Sequence, residues 1–158
     1  MAKAATLDRA EYDEEMGDAP SPSEGPQGGH AAPDAPERDE GHERALELAR
    51  ACALAADAKK AEDVVALDLD GLSDVADAIV VCTGANPRLV EAVADEVEDR
   101  AREGLGARLL SVEGRGEGRW VLLDFGSVVV HVLSPEARAF YRIERLWGDA
   151  PRLSLALA

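Results

Sequence analysis

Two aspartates, Asp68 and Asp70, stand two residues apart in Asp63-Val-Val-Ala-Leu-Asp-Leu-Asp70. On an extended strand that spacing sends both side chains to one face, where they could share a divalent cation, as carboxylate pairs do in phosphoryl transfer. Such a site also needs a third carboxylate, a Gly-rich loop and a cation for the phosphates. Thr83-Gly84 is a poor loop of that kind, and Lys59 and Lys60 precede the strand instead of facing it. Without that company, Asp68 and Asp70 read as strand-end acids turned to solvent.

His131, in Val128-Val-Val-His-Val-Leu133, is expected to be the one histidine of the ordered core. No Gly-x-Ser-x-Gly elbow occurs, and no Ser, Cys or second His stands at a spacing that would make a triad. A hydrogen-bonded structural or interface histidine accounts for it better than a general base does. Glu113 and Asp124 are open to the same two roles. Cys52 and Cys82 have no metal-type spacing and read as reduced core thiols. Gly104, Gly106, Gly114, Gly116 and Gly118 lead into no helix, so they are loop glycines and not a phosphate cradle. The residues by themselves predict no catalytic group, no metal and no cofactor.

The stretch that must position these side chains is Trp120 to Leu133, two apolar runs split by Gly126 and Ser127, the pattern of an antiparallel hairpin. Strand alternation puts Trp120 and Leu122 on one side and Val121, Leu123 and Phe125 on the other. In the second run Val128, Val130 and Val132 oppose Val129 and Leu133. A strand that is apolar on both sides must be covered on both sides, by this chain or by another molecule.

Around the hairpin the pattern predicts a helix over Glu43 to Lys60, strands over Asp63 to Asp70 and Ala78 to Cys82, and a helix capped by Asn86 with Pro87 as its first residue. Gly104 or Gly106 ends that helix. Arg108 to Val112 reads as a strand, Gly114 to Gly118 as a mobile loop, and Ser134-Pro135 as the start of a helix to Trp147. The order predicts a single α/β domain with a mixed five-stranded sheet and flanking helices. Three short helices give little cover for such a sheet, so part of it, with Trp120 as its largest side chain, is expected to stay open.

Charge is uneven along the 158 residues. Residues 1 to 43 carry −9 of the chain's −15 and few large apolar residues, which predicts a disordered acidic tail. Residues 44 to 150 form the expected domain and residues 151 to 158 a C-terminal tail. No run is apolar enough for a membrane span and the start lacks the apolar segment of a signal peptide, so a cytoplasmic protein is expected. The acidic balance argues against direct binding to nucleic acid phosphates, which needs clustered Lys and Arg, and no direct sequence-specific contact with nucleic acid is expected; a basic protein partner, or none, suits the chain better.

Val64 to Asp70, Ala78 to Gly84, Val112-Glu113-Gly114, Trp120 to Val132 and Phe140-Tyr141-x-x-Glu144-x-Leu146-Trp147 together resemble the ribosomal silencing factor family, also called the Iojap family. The resemblance covers about residues 44 to 150 and leaves the tail unmatched. It implies a fold similar to nucleotidyltransferases, in a non-enzymatic protein. The implied partner is the fourteenth protein of the large ribosomal subunit, whose occupation blocks joining of the small subunit and represses translation when nutrients are scarce. The implied contact set is Trp120, Leu122, Asp124, Glu113, Gly114, Val130 and His131. The acids that the family carries at Asp77 and Asp124 and the turn glycine Gly126 are matched, whereas Ser127 stands where Asp is more usual.

Two other arrangements stay open at this point. One is a metal-dependent nucleotidyltransferase using Asp68 and Asp70. The other is a homodimer in which a second copy covers the open sheet face.

Overall fold

A computed structural model describes residues 31–157, with side chains from residue 40 onward. The first helix, α1, spans Ala31–Ala58 and so starts well before the expected Glu43. Pro33 falls in its first turn, where a missing N–H leaves no intrahelical bond unmade. Residues 1 to 30 of the expected tail lie outside the described residues. Facing the sheet, α1 presents Ala45, Ala49, Cys52, Ala53 and Ala56, all fully or almost fully buried. Side chains this small let the helix axis come close to the strands beneath.

Five strands follow the order β1-β2-β5-β4-β3. β1 (Glu62–Asp68) runs antiparallel to β2 (Ala78–Thr83), β2 runs parallel to β5 (Val128–Leu133), and β4 (Trp120–Asp124) lies antiparallel both to β5 and to β3 (Ser111–Glu113). The sheet is mixed, as expected. β1 stops at Asp68, two residues short of the expected end, because Asp68 Oδ1 accepts the backbone N–H of Asp70 and turns the chain. β3 is shorter than expected and exposed, although Leu110 just before it still donates its N–H to Asp124 O of β4 at 2.7 Å.

α2 (Pro87–Leu105) crosses from β2 back to the sheet. Asn86 caps it by accepting the Leu89 N–H at 2.8 Å, and Gly106, in the left-handed region, closes it. Helices α1 and α2 together cover one face of the sheet, burying Val121, Leu123, Val128, Val130 and Val132.

The opposite face has a smaller cover. α3 (Pro135–Tyr141), capped by Ser134, ends at Arg142 in the left-handed conformation, and a 3-10 turn (Ile143–Trp147) continues from it. The single helix expected to Trp147 is therefore broken at Arg142. Beneath it Val65, Leu67, Ile79, Val81, Trp120, Leu133 and Ile143 form a second core. Residues beyond 150 are part of the fold rather than a free tail, because Arg152 bridges Leu67 and Leu153 N–H bonds Ala66 O at 2.8 Å, closing the β1 edge.

Candidate functional site

Strand register decides which expected residues share a surface. Leu122 pairs with His131, Asp124 with Val129, and Glu113 with Leu122, so Trp120, Leu122, Asp124, Glu113, Val129 and His131 all project from the face that α3 covers. Val130 does not belong with them. It pairs with Leu123, is 0 % exposed and lies under the two long helices, out of reach of any partner. Its strand neighbour Val129, half-buried on the opposite face, takes its place.

Trp120 is not the open anchor that the residue pattern suggested. It is 6 % exposed, with the ring of Tyr141 packed 4.7 Å from its own. The cause is the capped turn at Ser134, which folds α3 back over β4 and β5 and brings Tyr141 onto the indole. Arg119 sits 5.6 Å from the Tyr141 ring, and Phe140 meets Tyr141 edge-on at 4.8 Å while remaining 75 % exposed. Tyr141 and Phe140 therefore carry the aromatic surface that the hairpin alone was expected to carry. The hint in the sequence was their place in the motif shared with the family; nothing in helical periodicity shows that α3 lies across Trp120.

Beneath Tyr141 the indole N–H of Trp120 donates to Nδ1 of His131 at 3.0 Å. Burial lowers the His131 pKa to about 4, which keeps the ring neutral at neutral pH with its hydrogen on Nε2. It is an orienting histidine and not a base poised near pH 7. Next along the strands come Leu122 and Val129, half-buried, then Glu113, exposed on the edge strand. Asp124 Oδ1 accepts the Gly126 N–H at 2.8 Å and closes the hairpin turn, so its main task is structural. Gly114 contributes backbone alone: it has φ +82, and a Cβ there would sit 1.9 Å from Trp120 O.

The loop after Gly114, expected to be mobile, is tied to α2. Glu91 Oε2 accepts the N–H groups of Gly116 and Gly118 at 2.9 and 2.8 Å, and Arg115 pairs with Asp95 and with Glu98. These bonds fix the edge strand beside Leu122.

Asp68 and Asp70 do not leave one strand face together, as the alternative metal-sharing reading would need. Asp68 ends β1, and Asp70 lies beyond it in the turn. Nε2 of His42 lies 2.9 Å from Asp68 Oδ1, and Nδ1 of His42 lies 3.5 Å from Asp77 Oδ1. Burial disfavours the charged ring, but Asp68, Asp70 and Asp77 together outweigh it and raise the His42 pKa above its ordinary 6.5. Among the described residues no group of three His, Cys, Asp or Glu side chains is placed to hold a metal. His42 was missed in the sequence because it precedes the expected helix start. Cys52 and Cys82 are free and buried, and burial pushes both thiols up to about 12.

Comparisons with known proteins point one way. The family model described as ribosomal silencing factor during starvation matches residues 42–157. The ribosomal silencing factor RsfS of Bacillus subtilis is 45 % identical over 108 residues, which is 68 % of this chain and 91 % of that protein. The chloroplastic protein Iojap of Zea mays is 31 % identical over 113 residues, 70 % of this chain and 47 % of that one. A crystal structure of a Chromobacterium violaceum protein superposes with a TM-score of 0.63 at 34 % identity, covering 72 % of this chain and 92 % of that one.

Proposed function

We propose a function from one premise: the chain belongs to the ribosomal silencing factor family. It acts as a non-catalytic repressor of translation in the cytoplasm, which binds the large ribosomal subunit through the fourteenth protein of that subunit. By occupying the face that meets the small subunit, it blocks subunit joining when nutrients are scarce.

The observation that carries this reading is the half-covered second face of the sheet. α3 shields Trp120 and stops there, leaving a strip of Phe140, Tyr141, Leu122 and Val129 on a rigid sheet-and-helix support. Tyrosine and other large apolar groups held in place lose little entropy on docking and anchor interfaces well. Glu113 and Asp124 lie at the margin of the strip and suit a basic partner, and the chain's net charge of −15 steers such a partner toward it.

The test is subunit joining. Purified large and small subunits are mixed with increasing amounts of the full chain and followed by light scattering. The expected result is a dose-dependent loss of joined ribosomes, and joining that proceeds unchanged at saturating chain rejects the reading.

A further inference from the structure

Four arginines, Arg138, Arg142, Arg145 and Arg152, line a cleft of about 660 Å³ beside β1, against only two acids, Asp63 and Glu144. In a chain of net charge −15 this is a local excess of positive charge. Arg138 is engaged internally, with Nε donating to Glu144 Oε2 at 3.0 Å and Nη1 to Thr83 Oγ1 at 2.8 Å. The other three are exposed; Arg142 Nε donates to Ala139 O at 3.3 Å, and among the described residues none of the three is in an ion pair with a carboxylate.

The backbone holds these three charges together. Arg142 caps α3 in the left-handed conformation, Arg145 follows in the 3-10 turn, and both line the same cleft. Arg152 is fixed by its bridge to Leu67 on β1. Guanidinium groups are suited to phosphate, which they bind through paired N–H donors. The remaining wall is aliphatic. Without an aromatic ring to stack a base, the cleft offers little to a free nucleotide or to a single strand. A folded RNA helix presents phosphates while its bases stay stacked inside, and that matches what the cleft offers.

The geometry points to Arg142, Arg145 and Arg152 as a contact for the phosphate backbone of large-subunit ribosomal RNA. Arg142 follows Tyr141 directly in the chain, so the cleft adjoins the strip that docks on ribosomal protein. This inference rests on that docking reading. RNA contact adds affinity for the assembled subunit that the isolated ribosomal protein does not supply.

The test compares the full chain, as wild type and as the Arg142→Gln/Arg145→Gln/Arg152→Gln triple variant, for binding to large subunits and to the isolated fourteenth protein over a range of salt. Arg145→Gln alone serves if the triple variant unfolds. The expected result is about tenfold or more weaker binding to subunits, with a slope of log affinity against log salt shallower by about 3 for the triple variant. For Arg145→Gln alone the slope falls by about 1. Binding to the isolated protein stays as in wild type. Unchanged binding and slope on subunits overturns the inference, and so does an equal loss on the isolated protein, which would make the arginines a contact for an acidic protein segment. A folded wild-type chain that binds no large subunit overturns the docking reading itself and this inference with it.

Discussion

The indole N–H of Trp120 donates to Nδ1 of His131 on the neighbouring strand, and both side chains are buried beneath Tyr141. One polar contact thus fixes the tautomer of the histidine and the tilt of the tryptophan, and Tyr141 rests on the pair. The strip proposed for docking is built on this buried pair and does not include it.

Trp120→Ala is therefore expected to act on stability before it acts on binding. Removing a buried Trp costs about 3–5 kcal/mol, and here it also leaves His131 Nδ1 without its donor. Trp120→Phe should retain most of the packing and lose about 1–2 kcal/mol, the cost of the missing N–H. Urea unfolding of both variants measures the difference. A Trp120→Ala chain as stable as wild type would show that the indole is not part of the core.

His131 and His42 should give stability opposite pH dependences. The His131 pKa falls to about 4 in the fold, so the unfolded chain takes up the proton first as pH drops below 6.5. Its contribution is fully present above pH 6.5 and is lost between 6.5 and about 4, by about 3 kcal/mol in all. His131→Gln should be less stable at pH 8 and should lack that part of the acid slope. Unfolding free energies between pH 4 and 8 test it.

The His42 pKa is raised in the fold, so its contribution is complete below 6.5 and is lost as pH rises through the folded value. His42→Gln is expected to cost about 1 kcal/mol at pH 6 and little at pH 9, through its contacts with Asp68 and Asp77. An equal cost at both pH values would mean that packing, not charge, holds the ring.

Much of this fold is legible in the residues. Asn86-Pro87 and Ser134-Pro135 mark their helices because cap and first-turn chemistry are local, and the Gly126 hairpin follows from two branched runs around a residue free to take positive φ. What the residues do not show is non-local. The left-handed break at Arg142 and the return of α3 across the sheet depend on packing against Thr83 and Trp120, so the burial of Trp120 is hidden until the chain is folded. Net charge hides the arginine cleft for the same reason, since Arg142, Arg145 and Arg152 meet only in three dimensions. Val130 shows that even strand alternation needs the register to say which face is which.

Two glycines separate close approach from free space. At Gly114, φ is +82 and a Cβ would sit 1.9 Å from Trp120 O, so Gly114→Ala should cost about 2–4 kcal/mol. At Gly104, inside α2, a Cβ meets nothing within 4 Å, and Gly104→Ala should stabilise the chain by about 0.5–1 kcal/mol. Thermal unfolding of the two variants should shift in opposite directions.

The most direct test of the central claim is co-sedimentation of the full chain, wild type and Leu122→Asp, with isolated large and small ribosomal subunits. Leu122 is half-buried at the middle of the strip, so a charge there should spare the fold, as thermal unfolding would verify, and weaken docking by about 2 kcal/mol or more, roughly 30-fold. The predicted result is wild-type chain pelleting with large subunits only and the variant staying in the supernatant. Wild-type chain that pellets with neither subunit, or a folded variant that pellets as wild type does, would contradict a partner surface on this face of the sheet.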